Sequence, residues 1–212
     1  MNILLTAATA AEIAPAIEAL QTKSSLFDVR VCITGVGICA ATFGLTEGLI
    51  SGKYDLVIAA GIAGSFDRSL PLGTVVRVTR DCFGDLGVED NGTFLDLQQL
   101  QLAKPEDVCI EAFSPEFPEN LSKIVLSLPT REAITVHTAT GTALTAAARE
   151  KRFGPVLESM EGAAFHYVCR HKDTPLLHLR AISNYAEARN RPAWDIPHAV
   201  QNLNAVLKDL LF

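Results

Sequence analysis

Short apolar runs that alternate with helical patterns constrain the fold of this chain more than any other feature of its sequence. The apolar runs predict strands at residues 2–6, 29–34, 56–60, 74–79, 133–137 and 176–182. Helical spacing predicts helices at residues 11–20, 39–50 and 144–153, another from residue 160 onward, and a last one that reaches residue 210. Buried apolar strands are typical of a sheet covered by helices on both faces. We therefore predict a single α/β domain over residues 1–212, a three-layer sandwich with a central mixed, largely parallel sheet. Residues 80–118 have little periodicity and are predicted to be irregular.

Composition and charge argue against several functional classes. With 49% hydrophobic and 20% charged residues, the chain can bury enough apolar surface to fold, so a disordered protein is excluded. Its formal net charge of −6 argues against nucleic-acid binding, which uses a basic surface. The apolar run at residues 56–64 is too short for a membrane span, and the first residues lack the basic region of a signal peptide. We expect a small-molecule partner, with no nucleic acid and no membrane.

The spacing of cysteines and histidines favours neither a disulfide framework nor a metal site. The five cysteines are scattered without a CxxC pair, and the five histidines include no i, i+4 pair on a helix. We expect the cysteines to be reduced core residues, as in the cytoplasm, and we expect neither a metal ion nor an organic cofactor.

The segment Gly35–Ala40 has the form GxGxxA after a strand, which is one form of a dinucleotide-binding fingerprint. The acidic residue that such a site needs is misplaced, because Asp55 precedes its strand instead of following it. A tight strand-to-helix turn is the alternative interpretation of these glycines. No GxSxG motif is present, so the chain lacks the nucleophile elbow of an α/β-hydrolase.

Polar residues at strand ends are the strongest indication of a site. Glu12 follows the first strand, and Glu161 lies at the opening turn of an apolar helix. Arg180 and Asn184 lie at the end of the last strand, where ligands bind in open α/β sheets. An arginine in an apolar strand needs an anionic partner, because burial of an unpaired charge is costly. These four residues are candidates for one site, although Glu12 could equally be an ordinary acid of a first helical turn.

Four motifs together resemble the purine nucleoside phosphorylase and nucleosidase superfamily, and within it the methylthioadenosine/adenosylhomocysteine nucleosidases. They are GVG at 35–37, AAGIAGS at 59–65, SMEGAA at 159–164 and RAISN at 180–184. The resemblance covers nearly the whole chain and implies a nucleoside phosphorylase-like fold. It also implies that Met160 and Glu161 bind the ribose hydroxyls. The nucleosidases end the last motif with Asp, so Asn184 is a departure from their pattern.

The middle and the end of the chain are more specifically similar to the futalosine hydrolase family. The resemblance lies in residues 83–90, 94–97, 180–185 and 189–191. That family cleaves the N-glycosidic bond of futalosine and releases hypoxanthine on a route to menaquinone. A homodimer or higher homo-oligomer is implied as well. No role is assigned to Asp85, Glu89 or Asp90.

Hydrolysis of an N-riboside through an oxocarbenium-like state suggests a role for each candidate. Glu12 would be the base that activates water, and Glu161 would bind the ribose and favour the cationic sugar. Arg180 would hold the water or pair with Glu161. The lining of sugar and base would come from the remaining candidates: Ala63, Gly64, Thr140, Thr142, Met160 and Ser183.

Asn184 and the segment after it are predicted to set substrate choice. An amide offers both a donor and an acceptor, which suits the O6 and the protonated N7 of hypoxanthine. Arg189 and Arg191, with Trp194, would clamp the carboxylated aryl group of futalosine by charge and stacking, unless they form only a solvated turn.

Three other functions remain open from the sequence. Two of them are enzymes, namely a phosphorolytic purine nucleoside phosphorylase and an adenine-releasing nucleosidase. The third is a purine nucleoside-binding module without turnover. Few cationic residues lie near the strand ends, which disfavours phosphorolysis, and a pure binder would not need Glu12 as a base.

Overall fold

The computed structural model describes residues 1–112, 117 and 119–212, and its secondary structure follows the predicted alternation. The strands are β1 Asn2–Ala7, β2 Asp28–Ile33, β3 Leu56–Ser65, β4 Val75–Phe83, β5 Gly87–Asp90, β6 Thr93–Asp96, β7 Cys109–Glu111, β8 Thr130–Thr135, β9 Leu157–Ser159 and β10 Leu176–Tyr185. The helices are α1 Ala10–Thr22, α2 Ile38–Ile50, α3 Pro105–Val108, α4 Glu119–Ser127, α5 Ala143–Phe153, α6 Gly162–His171 and α7 Ile196–Leu211, with a 3-10 turn at Arg191–Ala193.

The central sheet is mixed and largely parallel, which confirms the predicted fold class. Parallel pairs join β1 to β2 and β3, β3 to β10, and β8 to β4 and β9. Antiparallel pairs join β4 to β10 and β7, and β9 to β3. Since β3 pairs with β1, β9 and β10, the strands β3, β10, β4, β8 and β9 close into a ring that β1 and β2 extend. The carboxyl ends of β1, β3 and β10 therefore meet at one edge.

Helices cover both faces of the sheet because each carries an apolar side that needs burial. Helices α1 and α7 pack on one face, where Ile13 and Leu203 join strand residues such as Ile58 in the core. Helices α2 and α6 pack on the other face through Leu45 and Phe165. None of the helices in the described ranges is long and apolar enough to cross a bilayer.

The prediction that residues 80–118 are irregular is wrong for much of that segment. It contains the end of β4, the β5–β6 hairpin, α3 and β7, whereas residues 113–116 and 118 lie outside the described residues. Hydrophobic patterns did not indicate these elements because the elements are short. In addition, the hairpin strand β5 is exposed along its whole length, so it has no alternation of apolar and polar residues.

The prediction that all five cysteines are reduced is wrong for two of them. Cys82 on β4 and Cys109 on β7 form a disulfide, whereas Cys32, Cys39 and Cys169 are free thiols. The two bonded residues are 27 positions apart in the chain but directly opposite each other in the antiparallel β4–β7 register. Sequence spacing could not indicate this pair, because only strand pairing brings the two side chains together.

Candidate active site

A pocket of about 430 Å³ opens at the edge where β1, β3 and β10 end. Its lining includes seven of the predicted site residues: Glu12, Ala63, Gly64, Met160, Glu161, Ser183 and Asn184. A neighbouring depression of about 490 Å³ lies beyond Ala186 and contains the Arg68–Glu187 ion pair. We assign the candidate site to the smaller of these two pockets, because it combines three carboxylates, those of Glu12, Glu158 and Glu161, with the amide of Asn184.

Glu12 is held rigidly at the start of α1. Its Oε2 accepts hydrogen bonds from the backbone N–H of Thr9 at 3.0 Å and from the Thr9 hydroxyl at 2.9 Å. Its Oε1 accepts a third, of 3.0 Å, from the backbone N–H of Ile62 on β3. The carboxylate therefore caps the N-terminus of α1, as an acid of the first helical turn commonly does, but it also bonds to β3 and faces the pocket.

Glu161 lies at the N-cap position of α6 and is only 5% exposed. Its Oε1 accepts a hydrogen bond of 3.1 Å from the backbone N–H of Gly37. Gly37 has a φ of 90°, a conformation that favours glycine, and it precedes the first residue of α2. The GVG segment is thus a strand-to-helix turn that presents an amide to Glu161, which supports the turn interpretation of these glycines over the dinucleotide one.

Arg180 lies behind the pocket and does not line it. The side chain is 2% exposed, and its Nη1 donates to the carbonyl oxygen of Ile62 at 3.1 Å. Its Nη2 lies 3.4 Å from Glu161 Oε2, so the predicted pairing with a buried carboxylate is present. The alternative that Arg180 holds the water is disfavoured, because the guanidinium is covered by Glu161 and the strand backbone.

Two histidines that the sequence analysis did not single out complete the environment of Arg180. Its Nε donates to His178 Nε2 at 2.8 Å, and His178 Nδ1 lies 3.0 Å from His166 Nε2. Both rings are buried. The available signal was the LHLR pattern, since residues 178 and 180 point to the same face of a strand.

Asn184 follows an irregularity in the pairing of β10 with β3. Its Nδ2 donates to the carbonyl oxygen of Tyr185 at 3.0 Å, and its Oδ1 lies 2.8 Å from the Ser183 hydroxyl. That hydroxyl is also 3.2 Å from the carbonyl oxygen of Ala63 and has a single proton to share. A Cβ on Gly64 would lie 3.1 Å from Asn184 Nδ2, so glycine leaves room for the amide in the pocket wall.

The prediction that Thr140 and Thr142 line sugar and base is not supported, because the structure places both outside the pocket. The Thr140 amide and hydroxyl donate to Glu158 at 2.7 and 2.6 Å. The Thr142 hydroxyl accepts from the Thr145 N–H at 3.1 Å and caps α5. Their polar groups are engaged locally, and it is Glu158 that reaches the pocket wall.

Glu158 belongs to a charged network that the sequence did not reveal. Arg149 Nη1 donates to Glu158 Oε2 at 2.7 Å, and Arg149 Nη2 lies 3.8 Å from Asp85 Oδ2. Asp85 also accepts a hydrogen bond of 2.8 Å from the His137 N–H. The other two unassigned acids, Glu89 and Asp90, are exposed on β5.

The arginines after β10 differ in their relation to the pocket. The Arg189 guanidinium lies 5.1 Å from the centre of the Trp194 ring, and Trp194 lines the pocket. Arg191 begins the 3-10 turn, is exposed and does not line the pocket. Both arginines are exposed and neither lines the pocket, but the guanidinium of Arg189 lies over a ring that does.

Asp81, His166 and His178 form a buried cluster whose possible ligand atoms all lie within 4.8 Å of one another. The cluster does not fit a metal ion, because the hydrogen bonds among Arg180, His178 and His166 occupy the ring nitrogens. Burial lowers the pKa of His166 to about 4 and raises that of Asp81 to about 7.

Comparisons with known proteins place the chain in a family. A family model described as the phosphorylase superfamily matches residues 25–211. The futalosine hydrolase of Streptomyces coelicolor is 32% identical over 151 residues, which are 71% of this chain and 62% of that protein. The chain thus spans under two thirds of that relative. The futalosine hydrolase of Acidothermus cellulolyticus is 30% identical over 174 residues, 82% of this chain and 71% of that protein.

Solved structures agree with this relationship at the level of the fold. The native structure of Helicobacter pylori futalosine hydrolase superimposes with a TM-score of 0.82 at 17% identity, covering 99% of this chain and 97% of that one. The 5′-methylthioadenosine/S-adenosylhomocysteine nucleosidase of Helicobacter pylori, bound to butyl-thio-DADMe-Immucillin-A, has a TM-score of 0.81 at 19% identity with the same coverage. The chain therefore belongs to the phosphorylase superfamily and, within it, to the futalosine hydrolase family.

Proposed function

We propose that this protein hydrolyses the N-glycosidic bond of futalosine, releasing hypoxanthine and dehypoxanthine futalosine as a step of menaquinone biosynthesis. One observation carries the proposal: Glu12, Glu161 and Asn184 line the same pocket at the sheet edge. This hydrolysis needs three groups: a base that deprotonates water, a carboxylate that accepts hydrogen bonds from the ribose, and an amide that contacts the purine. The names of the relatives support futalosine as the nucleoside.

Glu12 is the proposed base. The Ile62 N–H and the two Thr9 donors hold its carboxylate in one orientation, so that a water in the pocket is deprotonated from a fixed direction. Glu161 accepts hydrogen bonds from the ribose hydroxyls, and its negative charge favours the cationic sugar that develops as the bond to the purine breaks. Met160, at the adjoining position in the pocket wall, packs against the sugar.

Asn184 is the proposed contact of the leaving purine. Its Nδ2 donates to O6, and its Oδ1 accepts from N7 once that nitrogen is protonated. Since an amide cannot supply the proton itself, the proton of N7 comes from solvent, or the charge that develops on O6 is stabilised directly. Ser183, Ala63 and Gly64 orient the amide from one side.

Arg189 and Trp194 are proposed to receive the carboxylated aryl group at the mouth of the pocket. The ring offers a stacking surface, and the guanidinium beside it offers a bidentate partner for a carboxylate. Arg191, which is exposed two residues further on, would add long-range attraction only.

The remaining parts of the proposal concern the working form of the enzyme. We propose that residues 1–212 act as one nucleosidase domain without a cofactor, as a homodimer or higher homo-oligomer in the cytoplasm. Oligomerisation is supported by apolar side chains exposed at the pocket wall and on α2, since Val36 is 56% exposed and Phe43 is 71% exposed.

Phosphorolysis is disfavoured by the composition of the pocket wall. None of its lining residues in the described part of the chain is Arg or Lys, whereas a phosphate co-substrate needs cationic partners. Release of adenine is disfavoured by Asn184, because an aspartate there would better match an exocyclic amine. A binding module without turnover is disfavoured because Glu12 is oriented toward the pocket by three hydrogen bonds.

The decisive experiment follows base release by chromatography from futalosine, inosine and methylthioadenosine, each with and without phosphate. We expect hypoxanthine from futalosine at a rate that phosphate does not change. Adenine release from methylthioadenosine would show that the substrate is wrong but that the reaction is still hydrolysis. A requirement for phosphate would show that the reaction is phosphorolysis. Tight binding of futalosine without release of base would favour the binding module.

A further inference from the structure

The hydrogen bonds behind Arg180 determine where the protons lie on two buried imidazole rings. Arginine has only donors, so the 2.8 Å contact from its Nε requires a lone pair on His178 Nε2. A neutral ring then carries its proton on Nδ1, and that proton must be donated to His166 Nε2 at 3.0 Å. His166 in turn carries its proton on Nδ1, which faces the carbonyl oxygen of Ile110 at 3.0 Å.

This chain of donors runs in one direction only. If His166 donated to His178 instead, His178 would have to accept at both nitrogens, which a neutral ring cannot do. The carbonyl of Ile110 also cannot donate, so it admits a single state of His166. The guanidinium at one end and the carbonyl at the other therefore select the same tautomer for both rings.

We propose that His178 and His166 are positioning residues of the hydrolytic site, which hold the Arg180 guanidinium in the single orientation that orders Glu161 for the ribose. The inference rests on the proposed roles of Glu161 and Arg180. Neither histidine lines the pocket, so both act through Arg180. With Nε and Nη1 fixed by His178 and Ile62, the guanidinium plane has no freedom left, and Nη2 is directed at Glu161 Oε2.

Packing keeps the rings in place and links them to the SMEGAA motif. A Cβ on Gly162 would lie 2.7 Å from His178 Cε1 and 2.0 Å from Asp81 Oδ2, so the backbone of α6 sits directly against the ring. Phe165 adds an edge-on contact to His178, with ring centroids 6.5 Å apart. Glycine directly after Glu161 thus allows the helix that carries Glu161 to approach the ring that holds Arg180.

The first test needs no substrate. Nitrogen-15 NMR of ring-labelled histidine distinguishes protonated from unprotonated ring nitrogens, and the variants His166→Gln and His178→Gln assign the two buried rings. We expect both rings to be neutral at neutral pH with the proton on Nδ1. A proton on Nε2 of either ring, or a doubly protonated ring, would overturn the inference whatever the enzyme hydrolyses.

The second test asks whether the effect passes through Arg180. His166→Phe should lower kcat about tenfold or more with KM changed by less than about threefold, because His178 loses its partner and no longer presents a fixed lone pair to Arg180. His178→Gln, whose Oε1 still accepts from Arg180, should retain more activity than His178→Phe. His171→Phe, an exposed change on the same helix, is the matched control and should leave kcat unchanged.

A double-mutant cycle separates positioning from general damage to the fold. In an Arg180→Ala background, His166→Phe should have no further effect on kcat, since the group that it positions is gone. Multiplicative losses would overturn the positioning role. If the wild-type protein releases no base from any nucleoside, the proposed function is wrong. The NMR measurement of the tautomers does not depend on activity, so it still tests the hydrogen-bond chain.

Discussion

Ile62 holds Glu12 through its N–H at 3.0 Å and Arg180 through its carbonyl oxygen at 3.1 Å. One residue of β3 thereby sets the positions of a carboxylate that lies 50 positions before it and of a guanidinium that lies 118 positions after it. Both bonds come from backbone groups, so the spacing of the two charged groups depends on strand geometry instead of on a side chain. Ile62 thus fixes both the proposed base, Glu12, and Arg180, the residue that pairs with Glu161.

Glu12→Gln should remove the proposed base while keeping its shape. The Gln oxygen can still accept from Ile62, although the amide nitrogen then faces the Thr9 N–H and that one hydrogen bond is lost. We expect the fold to be retained and kcat to fall about 10²–10⁴-fold, with KM for futalosine changed little. Steady-state hypoxanthine release measures both constants. Glu18→Gln, an exposed change on the same helix, is the control that should behave as wild type. Full activity of the Glu12 variant would exclude it as the base.

Gly61→Ala should disrupt the site by a purely steric effect. The added Cβ would lie 2.4 Å from Arg180 Nη1 and 2.9 Å from Glu12 Oε1, so both charged groups must move. We expect kcat to fall and the free energy of unfolding to drop by about 1–3 kcal/mol, as in other overpacked cores. Denaturant unfolding checks the second effect. Gly141→Ala, whose Cβ meets nothing closer than 4.0 Å, is the matched control for stability.

Asn184→Asp should shift the choice of base toward 6-aminopurines. The carboxylate loses the Nδ2 donor that matches O6 but gains an acceptor for an exocyclic amine, and a mismatch at a buried polar edge can change specificity about 10⁴-fold. The ratio of kcat/KM for futalosine to that for methylthioadenosine reports the shift. The interpretation of Asn184 would be abandoned if that ratio did not change.

Arg189→Ala should raise KM for futalosine by about tenfold and leave KM for inosine unchanged, because only futalosine carries the aryl carboxylate. Trp194→Leu should act in the same direction through lost stacking against the ring. Arg191→Ala is expected to have a smaller effect, since it is the Arg189 guanidinium that lies over the Trp194 ring in the pocket wall. An equal rise in KM for both nucleosides would show that Arg189 does not recognise the aryl group.

Asp81→Asn should change the pH dependence of stability. Burial is the main cause that raises the pKa of Asp81 to about 7 from its ordinary value of 3.8, and the hydrogen bond from Thr135 opposes it. The folded protein therefore holds a proton on Asp81 that the unfolded chain releases, so this group's contribution to stability falls as pH rises from about 4 to about 7.

The difference in unfolding free energy between the Asp81→Asn variant and wild type isolates this contribution from those of His166 and His178. We expect the difference to move in favour of the variant across the range from about pH 4 to pH 7 and to level off above it. Urea unfolding at several pH values measures it. A difference that is constant with pH would show that Asp81 does not titrate in this range.

Sequence patterns indicated pocket residues best where a polar side chain follows a buried strand. Glu12 and Asn184 were singled out on that ground, and the structure places both in one pocket. Sequence patterns were less informative for polar residues buried inside an apolar element. The LHLR pattern put His178 on the same strand face as Arg180, but no spacing indicated that His166 on α6 would be its partner.

Thr140 and Thr142 are the opposite case, in which residues predicted to line the pocket lie outside it. Their hydroxyls were expected to line the sugar and base, yet other partners engage them: Glu158 for Thr140 and the first turn of α5 for Thr142. Thr142 contacts a residue only three positions away, whereas Thr140 contacts Glu158, 18 positions away, and the spacing of the threonines alone identifies neither partner.

The sequence by itself determined the α/β class, the mixed and largely parallel sheet, the family and seven of the residues that face the pocket. These follow from hydrophobic periodicity and from short motifs, both of which are local properties of the chain. Only the tertiary structure decided that the sheet closes into a ring, that Cys82 meets Cys109, and that Arg180 stands behind Glu161 with two histidines supporting it. The physical reason is that strand pairing and hydrogen bonds join residues that are distant in the chain, and their geometry exists only once the core has formed.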